Sequence, residues 1–246
     1  LARLSPVLPK ITIPSPTRIH FHGGDGVAVP SVYPDIDAFW DDVAAFYRRE
    51  IAALEEAGCR YIQIDDPVMS YFVDDGHRAR MTERGMDPDA TLRRYVEVVN
   101  ACVAGRRSDT YLSLHICRGN ARSTWAAAGG YAKIAATVFP ALDVDAFFLE
   151  YDDDRSGDFG PLEHVGDQKV VLGLLTSKRP ELEDRRLVET RIEEASRIVP
   201  LSRLALSPQC GFASSEEGNL VSEDNQWRKL ALCVEIARDV WGGVAV

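Results

Sequence analysis

Residues 111–120 read YLSLHICRGN. The run 111–117 is apolar and β-leaning, and the basic, glycine-containing RGN that follows marks a turn. His115 and Cys117 stand two apart at its downstream end, so on a strand their side chains share one face. The stretch reads as a buried strand that delivers two metal-donor side chains to one end of a sheet.

The same pattern recurs along the chain. Strand-like runs are 18–22 (RIHFH), 61–65 (YIQID), 111–117, 146–150 (AFFLE), 170–175 (VVLGLL) and 203–207 (RLALS). Amphipathic stretches at about 35–57, 88–106, 128–139, 183–199 and 223–241 read as helices between them. Asp35 and Ser222 suit N-caps, and Gly58 suits the residue just past a helix end. Alternating strands and helices imply a parallel sheet, either a barrel or doubly wound. Barrel enzymes gather their chemistry from the C-terminal ends of many strands, whereas doubly wound sheets gather it at a switch point. Asp65, His115 with Cys117, Glu150, Thr176 with Ser177, and Cys210 each end or follow a different run. The expectation is an α/β (β/α)8 TIM barrel, a single catalytic domain over 1–246. Six βα units are legible, so two are expected to lie upstream. The opening Leu1, in place of Met, fits a piece of a longer protein.

Bulk composition excludes several function classes. Among 246 residues the net charge is −10 and no basic cluster stands out, which argues against nucleic acid or an anionic membrane as partner. No apolar run reaches a membrane-spanning length, and LARLSPVLPK lacks a signal-peptide core. Five scattered cysteines do not form a disulfide framework, so a reducing, cytoplasmic setting is expected. No phosphate-binding glycine loop is present. A homodimer is left open.

The metal reading grows by accumulation. H-x-C alone is weak, because cysteine is often a small buried apolar residue. Cys210, in LSPQCGF, lies beyond a strand and beside Gly211. Glu150 ends an apolar run, where an unpaired carboxylate is costly. Together His115, Cys117, Glu150 and Cys210 make a donor set suited to tetrahedral zinc. Cys59, Cys102 and Cys233 read as packing residues. Two thiolates make zinc electron-rich, fit to hold a substrate thiol deprotonated; a free thiol has a pKa near 8.5. Glu150, the hard oxygen donor, is then the ligand expected to yield to an incoming sulfur. Asp65 and Asp66 in YIQIDDP suit a substrate ammonium group, or else an N-cap or solvated turn. Arg118 suits a substrate carboxylate or a nearby acid. Trp125 reads as pocket lining or, by default, core. The acidic loop at 152–161 reads as a substrate cover or a solvated turn. A rival metal pair, His20 and His22 at a strand end, is similar to that of barrel metal hydrolases; its other histidines would have to be His77 and His164, both read as loop residues.

YIQIDDP, then H-x-C, then a strand-ending Glu, then SPQCGF resembles the C-terminal catalytic barrel of the cobalamin-independent methionine synthase family. HICRGNARSTWAAAGGY, FFLEYDDDRSGDFGPL and SPQCGFASSEEGNL are similar to its short single-barrel members. The resemblance covers about residues 11–241. It implies zinc held by His115, Cys117, Glu150 and Cys210, with Asp65 binding the amino group of homocysteine and Ser177 near the substrate. It implies an S-methyltransferase that makes methionine. A related thiol alkyltransferase, with coenzyme M or another acceptor and a corrinoid or epoxide donor, is the alternative. The family's amino-acid-binding serine turn and second-strand Glu have no counterpart here, and LLTSK (174–178) stands where the family has a histidine–serine turn. The methyl donor is thus open between methyltetrahydrofolate, a methylated corrinoid and another compound.

Overall fold

The computed structural model of the chain describes residues 3–213 and 216–243. Leu1, Ala2 and the Ser214–Ser215 pair of the SPQCGFASSEEGNL run lie outside them. Six strands form one sheet: β1 (Ile11–Pro14), β2 (Tyr61–Asp65), β3 (Tyr111–Ile116), β4 (Ala146–Glu150), β5 (Lys169–Leu175) and β6 (Leu204–Pro208). They pair in the order β1-β2-β3-β4-β5-β6, every neighbour parallel. A doubly wound sheet reverses its order at a switch point; this one never does, which is the order of a barrel wall. The described strands number six, so the result is a six-stranded parallel α/β sheet rather than a demonstrated eight-stranded closure.

The helices are α1 (Thr17–Gly23), α2 (Ile36–Glu56), α3 (Val68–Tyr71), α4 (Asp75–Glu83), α5 (Pro88–Val103), α6 (Ala132–Val138), α7 (Arg185–Ser196) and α8 (Glu223–Trp241). The Asp35 carboxylate accepts from Ala38 N at 2.9 Å and caps α2, whose Phe39, Trp40, Val43, Ala44, Tyr47 and Ile51 form one buried stripe. Gly58, at φ +92°, lets the chain leave α2 in the left-handed region. Ser222 caps α8 in the same way through Asn225 N. Strand alternation sorts the two sheet faces. Ile62, Ile64, Leu112, Leu114 and Ile116 are fully buried in the core, each worth about 1.5–3 kcal/mol of apolar burial. Gln63, Asp65, Ser113 and His115 occupy the alternate positions, on the other face.

RIHFH, read as a strand, is the body of α1. Its apolar–polar alternation imitates a strand, but Thr17 and His20 are its buried residues, at helical spacing. The first strand is instead ITIP, ending at Pro14, which has no N–H to extend the ladder. The segment read as 128–139 is helical only over Ala132–Val138, because Gly129 takes φ +129°. His77 is on α4 rather than in a loop. No helix among the described residues is long and apolar enough to cross a membrane.

Candidate metal centre

Parallel register brings the strand ends level. Asp65 pairs with His115, His115 with Phe148, and Glu150 with Gly173, which in turn pairs with Ser207. His115 is the penultimate residue of β3, Cys117 follows that strand, Glu150 ends β4, and Cys210 lies two residues past β6. One donor atom from each of these four falls within 4.8 Å of all the others. Cys117 Sγ and Cys210 Sγ are 3.6 Å apart. Two thiolates on one tetrahedral zinc, with Zn–S near 2.3 Å, stand about 3.8 Å apart, so the pair already has close to the spacing of shared ligands. His115 Nδ1 lies 3.1 Å from the Phe148 carbonyl oxygen. In the neutral ring that acceptor keeps the proton on Nδ1, so the buried Nε2 is the nitrogen whose lone pair could meet a metal. Gly119 N–H donates to Cys117 Sγ at 3.2 Å, a contact that favours the thiolate.

The four groups strain one another's protonation. Cys117 is pushed well above an ordinary thiol by the Cys210 sulfur, then by burial and by Glu150. Burial raises Glu150, against the pull of His115, Arg118 and Gln209. Burial opposes charge on His115, but Cys210, Glu150 and Asp65 outweigh it and lift the ring to about 9. Three donors that hold their protons, packed against the Cys210 sulfur, are the surroundings a divalent cation would relieve.

Behind the donors stands a closed polar shell. Arg118 is fully buried. Its backbone N–H donates to Glu150 Oε2 at 3.1 Å, and Nη1 donates to Glu150 O and to Tyr131 Oη, each at 3.0 Å. Nε and Nη2 both donate to Gly129 O. Glu150 N donates to Tyr131 Oη at 2.9 Å. Every nitrogen of Arg118 is therefore spent inside the protein, beside Glu150. Ser177 is also fully buried, its hydroxyl donating to Gln209 Oε1 at 2.7 Å. Asp66 is likewise committed. Ser15 Oγ (2.6 Å), Thr17 Oγ1 (3.2 Å), Val68 N (3.1 Å) and Met69 N (3.2 Å) all donate to its carboxylate. None of Asp66, Arg118 and Ser177 lines the cavity beside the donors.

Asp65 does line it. The cavity, about 410 Å³, is bounded by Asp65, His115, Cys210, Gln209, Phe148, Gln63 and Lys10 among others. Gln63 Nε2 donates to Asp65 Oδ1 at 2.7 Å, and Lys10 Nζ donates to Gln63 Oε1 at 2.6 Å. Burial raises the Asp65 pKa, opposed by Gln63, His115 and Lys10. Gln63, Gln209 and Lys10 were not singled out by sequence. Gln63 had a signal, sharing a strand face with Asp65; Lys10 had none, because it precedes β1.

His20 hydrogen-bonds Tyr95 Oη at 2.8 Å and Asp25 Oδ1 at 2.9 Å, so it is a packing residue on a helix, not half of a strand-end metal pair. Trp125 is 52% exposed, with the Arg155 guanidinium 4.4 Å from its ring centroid, rather than core. Arg155 also pairs with Asp152 and Asp153 at the start of the acidic loop, while Asp154 and Asp158 remain exposed. None of the five cysteines is in a disulfide.

The family model for the cobalamin-independent synthase catalytic domain matches residues 30–238. The chain belongs to that family. A Bacillus subtilis (strain 168) member, YxjH, named only as uncharacterized, is 48% identical over 235 residues, which are 95% of this chain and 62% of YxjH. The crystal structure of a putative vitamin-B12-independent methionine synthase from Listeria monocytogenes is 40% identical with a TM-score of 0.75, covering 95% of this chain and 64% of that one. The 5-methyltetrahydropteroyltriglutamate–homocysteine methyltransferase of Lactiplantibacillus plantarum is 24% identical over 183 residues, 74% of this chain and 21% of the enzyme. The family chain described here thus spans under two thirds of the length of these relatives.

Proposed function

We propose that the protein is a zinc-dependent S-methyltransferase that methylates the thiol of homocysteine to give methionine. The observation that carries the reading is the cluster of His115, Cys117, Glu150 and Cys210 donor atoms within 4.8 Å, of which His115 and Cys210 line a cavity that Asp65 also lines. Zinc on these donors would lower the pKa of a substrate thiol so that it reacts as the thiolate. The chain's own residues then do the rest. His115 offers Nε2 because the Phe148 carbonyl holds its proton on the opposite nitrogen. Gly119 N–H supports Cys117 as an anion. Asp65, steadied by Gln63, is placed to take the ammonium group of an amino-acid thiol. In the transfer the S–CH3 bond forms, the donor's bond to that methyl breaks, and the thiol proton leaves to solvent. The unbroken strand order fits most of the wall of an eight-stranded barrel, and cysteines without a disulfide fit a reducing cytoplasm.

The test is zinc content followed by an activity screen on the full-length protein. Homocysteine and other thiols would be crossed with 5-methyltetrahydrofolate and methylcobalamin. Zinc binding with methionine formation supports the reading. Zinc binding with alkylation of a different thiol moves the assignment to another thiol alkyltransferase, and absence of zinc defeats both.

A further inference from the structure

Glu150 is the only hard donor of the cluster, and both of its oxygens are engaged by the protein before any metal is considered. Oε2 accepts from Arg118 N at 3.1 Å, with Arg118 Nη1 at 3.6 Å. Oε1 accepts from the side-chain amide of Gln209. The orientation of that amide is determined by its surroundings. Gln209 Oε1 accepts from Ser177 Oγ at 2.7 Å and faces Ser177 N at 3.4 Å, so the NH2 group has to turn to Glu150. Gln209 is 1% exposed. Its backbone N–H donates to Leu175 O at 2.7 Å. A Cβ on Gly173 would lie 2.9 Å from Gln209 Cα, so the glycine admits it.

We infer that Gln209, anchored by Ser177, is a positioning residue that fixes Glu150 as a metal donor and ties it to Cys210, the next residue in the chain. The inference rests on the zinc reading above. The charge balance explains why an amide serves here. Two thiolates and a carboxylate around a divalent ion leave one negative charge, which the buried Arg118 beside Glu150 offsets. Gln209 gives Glu150 a hydrogen bond without adding a further buried anion, as an acidic residue would. Ser177, read from sequence as a substrate contact, acts instead on the metal donor through one intervening side chain.

The experiment is zinc affinity by chelator competition in the full-length protein, with the absorption spectrum of the cobalt(II)-loaded form as a second readout. Gln209→Glu keeps the shape and loses the N–H donor; Gln209→Leu removes the polar group; Ser177→Ala removes only the anchor. Both Gln209 variants are expected to lose about ten- to hundredfold in zinc affinity, the usual effect of removing a ligand's hydrogen-bond partner, and to shift the cobalt spectrum. Ser177→Ala is expected to lose less. Wild-type affinity and spectrum in Gln209→Glu would overturn the inference. If neither Gln209 variant folds, wild-type affinity in Ser177→Ala overturns it. A wild-type protein that binds no zinc defeats the underlying reading instead, so the two failures are distinct.

Discussion

Cys117 Sγ and Cys210 Sγ lie 3.6 Å apart although 93 positions separate them in sequence. The spacing is far longer than the roughly 2.05 Å of a disulfide and close to the edge of a zinc–thiolate tetrahedron. Three successive parallel pairings, β3 to β4 to β5 to β6, bring the two sulfurs together.

Replacing one of these sulfurs therefore dismantles the donor set. Cys210→Ser is expected to take the purified protein from about one zinc per chain to well below it after dialysis against a mild chelator. Elemental analysis checks this, and full retention of zinc in the variant would remove Cys210 from the site.

Zinc affinity is expected to fall as pH falls. Cys117 is held well above an ordinary thiol and His115 is lifted to about 9, so near neutral pH these two donors carry protons that the metal must displace, and the raised Glu150 adds to the competition as pH falls. Lower pH adds protons and strengthens the competition; higher pH removes them. Each proton displaced weakens binding by about tenfold per pH unit. Chelator competition between about pH 6 and pH 8 measures the slope, and a flat profile contradicts it.

The two neighbouring aspartates should separate function from stability. Asp65→Asn is expected to raise KM for an amino-acid thiol by about tenfold or more, the loss of one charged hydrogen bond, with the melting temperature nearly unchanged. Asp66→Ala strands the Val68 and Met69 amides and the Ser15 and Thr17 hydroxyls. It is expected to cost about 2 kcal/mol or more in urea unfolding. Similar kinetic effects from both would undo the distinction.

Arg118→Met is expected to destabilise the fold by about 3–5 kcal/mol, because it leaves the Glu150 carboxylate buried without its cation. The same variant should weaken zinc binding. Unfolding curves that overlay the wild type would show that Arg118 has no such role.

Gly173→Ala forces a Cβ to within 2.9 Å of Gln209 Cα and 3.0 Å of Leu149 O. Backbone lies on both sides and cannot swing away, so a loss of about 1–3 kcal/mol is expected, together with weakened zinc binding through the displaced Gln209. Denaturation and chelator competition on the same sample test both parts.

Much of the framework was legible from residue patterns. The caps at Asp35 and Ser222, the glycine at position 58 and the apolar runs ending in Asp65, His115 and Glu150 encode local geometry, and local geometry is what short-range periodicity records. RIHFH shows the limit: over five residues alternation suits a strand, and only the burial of Thr17 with His20 reveals the helical spacing. Asp65 and Asp66 show another. They are adjacent and alike, yet one lines the cavity while four hydrogen-bond donors enclose the other.

The sequence by itself determined the donor types and their places at strand ends, because side-chain chemistry and strand period are properties of neighbouring residues. The tertiary structure decided which polar groups face the cavity and which support the donors from behind. Arg118, Ser177 and Gln209 acquire their roles from Glu150, Tyr131 and Gly173, residues on other strands or loops whose distance from them is set by sheet register and core packing. A hydrogen bond depends on tenths of an ångström and on which partner is already engaged, and those quantities exist only once the strands are paired.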